Sequence, residues 1–138
     1  MTVVRHPKVA TLASFGDYSP VAEAGDGELI AIAGQFGTDS TGGWPDGDGA
    51  EAQVRGAFRN FGNALDEVGL SWEHVLKFNT FLLGRETVEV FMRVRKEVFA
   101  EIFPASVYPP NTLLLVAGLV EEGLVCEIEG LAVRPVLS

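Results

Sequence analysis

The stretch Leu124-Val125-Cys126-Glu127-Ile128-Glu129-Gly130-Leu131-Ala132-Val133 decides how this chain is read. Its apolar residues are spaced for a strand, in which successive side chains leave on opposite faces. Glu127 and Glu129 therefore share one face, and Cys126 and Ile128 the other. Just upstream, Asn111 to Val116 predicts another apolar strand. The loop between the two carries Glu121, Glu122 and Gly123, and the pair reads as a hairpin.

Lys77 to Leu83 predicts a further strand. Thr87 is expected to cap a helix on which Phe91, Val94, Val98 and Ile102 recur at helical spacing until Pro104 stops it. An earlier helix carries Val54, Phe58, Phe61, Leu65 and Val68 at the same period. Asp48 and Glu51 resemble a capping box at its start, and Gly69 is a natural terminator. Thr38 to Gly49, rich in Gly, Asp and Thr, reads as an exposed loop. Val21 to Ala24 and Glu28 to Gly34 flank the turn residues Gly25-Asp26-Gly27, which predicts another β-hairpin. Both alternating sets of Leu29-Ile30-Ala31-Ile32-Ala33 are apolar, so this strand is expected to be covered on both faces.

The order hairpin, helix, strand, helix, hairpin is satisfied by an α+β fold with two helices packed on one face of a mixed sheet. The helices leave the second face uncovered. Leu113, Leu115 and Ala117 lie on one side of their strand, Leu114 and Val116 on the other, and the helices can bury only one set. Self-association through the second set follows as an expectation.

The 138 residues fit one domain spanning 1–138. A hydrophobic fraction of 47% and mean hydropathy of +0.22 are high for so short a chain. They also point to apolar surface hidden by another subunit. The net charge of −9 argues against a nucleic-acid partner, which would draw on clustered Lys and Arg. The main basic cluster, Arg93, Arg95 and Lys96, reads as a solvated helix face. Cys126 is the single cysteine, so no intramolecular disulfide forms, and its apolar neighbours predict a buried position. The start, Met1 to His6, lacks the apolar core of a signal peptide. No segment is long and apolar enough to span a bilayer, so a cytoplasmic protein is the expectation.

Glu127 and Glu129, two apart at roughly 7 Å along a strand, repel each other, an arrangement that raises one pKa and suits proton transfer. The ordinary alternative is that they lie in solvent or pair with a cation such as Arg134. Tyr18, in Gly16-Asp17-Tyr18-Ser19-Pro20, offers a phenol to a ligand or merely anchors a loop. Gly34 permits close approach to the backbone, and Gln35 brings a donor and an acceptor; both also suit a plain strand end. Asn111 and Thr112 either bind a carboxylate through neutral hydrogen bonds or satisfy the backbone after Pro109 and Pro110. Asp46 and Asp48 lack the further oxygen ligands of a calcium loop, since Ala50 and Ala57 stand where they would be needed. His6 and His74 have no zinc-ligand spacing. There is no phosphate-cradling glycine loop and no nucleophile elbow.

Taken together, Tyr18, the strand end Ile32-Ala33-Gly34-Gln35, Gln53 entering the first helix, Val98 to Pro104, and Cys126 to Val133 resemble the Rid family. Its members, the YjgF-like proteins, are reactive enamine/imine deaminases. The resemblance runs from about Tyr18 to Arg134. It implies a chorismate-mutase-like α+β fold assembled as a homotrimer, with small-molecule ligands in intersubunit clefts. Active members hydrolyse 2-imino acids to 2-keto acids and ammonia with no metal or bound cofactor. It implies that Gly34, Glu127 and Tyr18 match cleft residues, with Glu127 and Tyr18 in the catalytic roles and Gly34, Gln35, Asn111 and Thr112 binding substrate. Where the family places a carboxylate-gripping arginine this chain has Asn111, and Ala33 stands where serine is common. The chain thus resembles an arginine-lacking branch, which leaves a non-catalytic metabolite-binding or interaction module as the alternative to an enzyme.

Overall fold

The computed structural model describes residues 3–13 and 15–137. Met1 and Thr2, which open the stretch read above for a signal peptide, lie outside them. Two short strands, β1 (Val4–Arg5) and β2 (Glu23–Ala24), precede β3 (Gly27–Gln35) and helix α1 (Ala50–Glu67). After one 3-10 turn come β4 (Val75–Leu82), helix α2 (Arg85–Ile102), β5 (Asn111–Leu115) and β6 (Cys126–Pro135). The main sheet has the order β3-β6-β4-β5, with β4 and β5 parallel and the other pairs antiparallel. Both helices lie on one face of this mixed sheet.

Neither expected hairpin forms. The Gly25-Asp26-Gly27 turn sends the chain between two sheets: β2 pairs with β1, while β3 pairs with β6. The two closing strands are separated by β4. The α2 crossover delivers β5 parallel to β4, as a parallel neighbour requires. The cap expectations also need correction. Gly49, not Asp48, is the N-cap of α1 and makes no side-chain cap, and α2 begins after Gly84. Thr87 lies inside the first turn of α2, its hydroxyl donating to the Leu83 carbonyl at 2.6 Å.

The core is an aromatic layer between helices and sheet. Phe58 and Phe61 of α1, Phe91 and Phe99 of α2, and Phe78 of β4 are all buried. Phe61 meets Phe78 edge-on with ring centroids 5.0 Å apart, and Trp72 stacks on Phe61. Each such side chain contributes about 1.5–3 kcal/mol by leaving water. Gly130 of β6 makes room for β4 and for this layer, because a Cβ there would stand 2.5 Å from the Lys77 carbonyl oxygen and 2.9 Å from Phe61 Cζ. Cys126, fully buried, has its thiol pushed up to about 12 by desolvation and then by the neighbouring Glu127. It packs; it does not react.

The second sheet face is covered at one end only. Val3 and Val4, with Ala22 beside them, pack on Val133 and Leu76. Beyond that small cluster Leu29 is 63% exposed and Leu114 50% exposed, and Ala31 and Ala33 lie in the open. The strand expected to be covered on both faces is thus covered, within one chain, on its Ile30 and Ile32 side alone.

Candidate functional site

Two buried or half-buried amides of α1 set the geometry around Glu127. Gln53, 1% exposed, donates from Nε2 to the Asp48 and Gly123 carbonyls and accepts at Oε1 from Val125 N–H, each at 2.8 Å. This fixes the segment that enters β6. Two helical turns further on, Asn60 Nδ2 donates to the Phe36 and Thr38 carbonyls, both at 2.6 Å. That fixes the segment leaving β3. The α1 helix therefore clamps the two backbones that bring Gly34 and Glu127 together.

Between Ile32 and Gln35 the β3–β6 register slips, so Ala33 and Gly34 bulge opposite β6. The Glu127 carboxyl lies directly across Gly34: a Cβ on residue 34 would overlap Oε1 and stand 2.6 Å from Cδ. Only glycine leaves the carboxylate in this position. Phe81 of β4 is the in-register neighbour of Glu127 on its other side. One step along, Glu129 Oε2 accepts from Asn79 Nδ2 at 3.2 Å, and Lys77 Nζ donates to Thr112 Oγ1 at 2.7 Å. Glu127, Glu129 and Thr112 thus share the uncovered face, with exposed Leu29 and Leu114 around them. Arg134, considered above as a partner for either glutamate, bonds instead to Glu28 and the Val68 carbonyl.

The remaining sequence-derived residues sit apart within one chain. Asn111 is on the helix side of the sheet, where its Oδ1 accepts from the buried Thr80 hydroxyl at 2.9 Å. Gln35 turns back on its own strand, donating to the Ala33 carbonyl at 3.0 Å. Gly34 and Gln35 also line a recess of about 510 Å³ with Phe36, Asn60 and Asn63. Tyr18 lies in the loop over α2, where Phe15 N–H donates to its Oη at 3.2 Å. The loop 38–49 is organised by Asp39, whose carboxyl is held below the usual carboxylate range by the Thr41 hydroxyl and by the Gly43 and Thr41 N–H groups. Among the described residues no group of three or more His, Cys, Asp or Glu is placed to hold a metal ion. None of their helices is long and apolar enough to cross a membrane.

One residue escaped the sequence reading. Of the basic cluster, Arg93 and Lys96 are exposed as expected, but Arg95 is 3% exposed. Its guanidinium stands over the rings of Phe91 and Phe99, at 5.3 and 5.8 Å from their centroids. The signal was in the spacing: residues 91, 95 and 99 fall on one helix face, and that face is the apolar one.

A two-helix layer on a mixed four-stranded sheet, carrying a carboxylate row on its bare face, is the YjgF/chorismate-mutase-like α+β architecture. A sequence profile of the endoribonuclease L-PSP family matches residues 9–134. The chain belongs to this family, that of the YjgF/Rid proteins. An uncharacterized protein of Streptomyces coelicolor is 34% identical over 121 residues, 88% of this chain and 84% of that protein. The Rid-family protein YyfB of Yersinia pestis, of unknown function, superposes with a TM-score of 0.83 over 96% of this chain and 99% of its own, at 21% identity. E. coli TdcF, solved with bound serine, gives 0.68 at 26% identity over 86% and 91% of the two chains. A probable translation initiation inhibitor from Rhodopseudomonas palustris gives 0.67 at 29% identity over 96% and 99%.

Proposed function

We propose that this chain is a cytoplasmic, homotrimeric Rid protein of an arginine-lacking branch, a single domain that hydrolyses a small enamine- or imine-type metabolite in clefts between subunits. The observation that carries the proposal is the Glu127 carboxylate, half-buried against Gly34 on an apolar face that one chain leaves bare. Asn111 and Tyr18 do not share that face within one protomer, so the constellation is complete only where a second copy supplies its own set. The apolar rim of Leu29, Ala31 and Leu114 supports such contact.

The chemistry needs no oxidant or reductant. Glu127 takes a proton from water as the water oxygen bonds to the imine carbon, and the proton passes on to nitrogen. The hydroxyl of the resulting carbinolamine then gives up its proton as nitrogen gains a second one, the carbon–nitrogen bond breaks, ammonia leaves and a carbonyl forms. Gly34 donates a backbone hydrogen bond to substrate, Tyr18 orients it, and Asn111, Thr112 and Gln35 hold its polar groups. Freshly generated 2-imino acids, followed by ammonia or keto-acid release, provide the assay. Turnover should fall at least a hundredfold or so in Glu127→Ala, and sedimentation should give three copies. Equal turnover in that variant, or a monomer in dilute solution, removes the enzyme reading.

A second reading is a non-catalytic metabolite-binding or interaction module on the same scaffold. It is favoured by Asn111, which stands where the resemblance calls for a cation and is already bonded to Thr80. A ligand that raises the melting temperature but is never consumed selects it. RNA is the poorest candidate for either reading, given two glutamates on the bare face and a net charge of −9.

A further inference from the structure

Among the described residues two buried side-chain nitrogens lack a hydrogen-bond partner, His6 Nε2 and Arg95 Nε. Native proteins leave few such groups, because each carries its full desolvation cost. Arg95 lies within the aromatic face of α2. His6 instead borders an apolar recess of about 410 Å³, formed where β1, the 3-10 turn Trp72–His74 and the segment 102–109 meet. Val75, another of its walls, opens β4. The in-register neighbour of Glu127 is Phe81, six residues and about 20 Å further along that strand. The recess is therefore at the opposite end of the sheet from Glu127 and Gly34, and neither lines it.

Its size is that of a small-molecule site, for which ~300–1,000 Å³ is usual. The indole of Trp72 and the ring of Phe103 stand at 73° with centroids 6.1 Å apart. A third ring placed in that corner meets one of them in offset stacking and the other by its edge, the two arrangements that aromatic pairs favour. Ile102 and Val107 extend the apolar wall. Among the lining residues the one carboxylate is Glu73, and there is no lysine or arginine. An anion would meet repulsion there and no counter-charge. The burial of His6 lowers its pKa and keeps the ring neutral at pH 7. Nε2 of a neutral imidazole donates or accepts according to the tautomer, and a hydroxyl does both. Nε2 is sealed from solvent in the free chain, so the imidazole must turn to present it. His6 and Val107 also line a neighbouring recess of about 480 Å³, which leaves the ring room to do so.

We propose that the recess is a second ligand site, which takes a neutral aromatic compound carrying a hydroxyl. The ring of the ligand fills the Trp72–Phe103 corner, and its hydroxyl bonds to His6 Nε2. The polar group that the free chain leaves orphaned thereby gains its partner. The site goes beyond the proposed function, since none of the residues given catalytic or substrate-binding roles there lines the recess.

The test titrates 5-hydroxyindole, its isostere 5-methylindole and indole-5-carboxylate into the isotope-labelled native chain and follows the resonances by NMR. Trp72 and Trp44 are the two tryptophans, and Trp44→Phe identifies which indole N–H signal belongs to which. 5-Hydroxyindole should move the Trp72 signal and leave that of Trp44 in place, and indole-5-carboxylate should move neither. His6→Phe keeps a ring and removes the orphaned nitrogen, so the free protein should be as stable or more stable. In that variant the preference for 5-hydroxyindole over 5-methylindole should fall about two- to tenfold, the range of one net hydrogen bond. Several results each overturn the site: no response of Trp72 to 5-hydroxyindole, as when a second copy of the chain fills the recess; equal or tighter binding of the carboxylate; a preference undiminished in His6→Phe; or a response that vanishes in Glu127→Ala. Should His6→Phe not fold, the imidazole nitrogen resonances of His6 in the native chain decide: they move on addition of 5-hydroxyindole, or the proposal fails.

Discussion

Replacing Gln53 by leucine asks whether the α1 clamp holds β6 in place. The native amide makes three hydrogen bonds of 2.8 Å while 1% exposed. Leucine fills similar space and makes none of them. Asp48 and Gly123 are exposed, so their carbonyls can turn to water at a cost of about 1 kcal/mol or less each. Val125 N–H is half-buried and loses its acceptor, at about 1–3 kcal/mol. The net loss expected is about 2–4 kcal/mol, a large share of the 5–15 kcal/mol typical of a domain. Urea unfolding followed by the fluorescence of Trp72, which stacks on Phe61, reads it directly. Protein concentration must be equal across variants, since self-association adds to apparent stability. Gln53→Glu sharpens the test. The introduced carboxylate still accepts from Val125 but faces two carbonyl oxygens, so its folded-state pKa rises above the unfolded value. Its penalty is present at neutral pH and shrinks as pH falls and the acid regains a proton to donate. A loss below about 0.5 kcal/mol for leucine, the range of an ordinary surface change, would refute the clamp.

Cys126 should resist thiol reagents in the folded chain and react only as the protein unfolds; prompt labelling under native conditions counts against its burial. Its thiol is raised from 9.0 to about 12, so keeping it neutral contributes fully below pH 9 and is lost as pH climbs between those values. Alkaline unfolding should be less steep in Cys126→Ala, and an unchanged slope would contradict this. Gly130→Ala should cost about 1–3 kcal/mol, because the new methyl stands 2.5 Å from the Lys77 carbonyl oxygen and 2.9 Å from Phe61 Cζ; a neutral effect in urea unfolding would mean that both the β4 backbone and the aromatic layer yield. Phe61→Ala should cost about 3–5 kcal/mol by the same measurement. Asn111→Arg removes the acceptor of the buried Thr80 hydroxyl, for a loss of about 1–3 kcal/mol. A gain of 2-imino acid hydrolysis in that variant would show a deaminase cleft short only of its usual cation.

The helices were legible because their cores are written locally. Val54, Phe58, Phe61 and Leu65 repeat at helical spacing, and residues so placed must meet the sheet together. The face shared by Glu127 and Glu129 was legible for the same reason, since strand alternation is a property of the strand alone. Pairing was not legible. Gly25-Asp26-Gly27 tells where the chain turns, but the partner of β3 lies a hundred residues away in β6, and nothing nearby encodes that choice. The position of Asn111 followed from the parallel register of β5 on β4, which also depends on distant contacts. Arg95 was missed through its charge: beside Arg93 and Lys96 it looked solvated, while its alignment with Phe91 and Phe99 indicated the interior.

The slip that sets Ala33 and Gly34 against Glu129 also spoils the long outer rim of the sheet. A nine-residue strand with Leu29 and Ala31 bare is a ready template onto which foreign chains zip into fibres. The kink interrupts that template near its far end, so an incoming segment finds a straight run only as far as Ile32. Removing either residue of the kink would straighten the rim, and amyloid-like deposits would be its most visible cost.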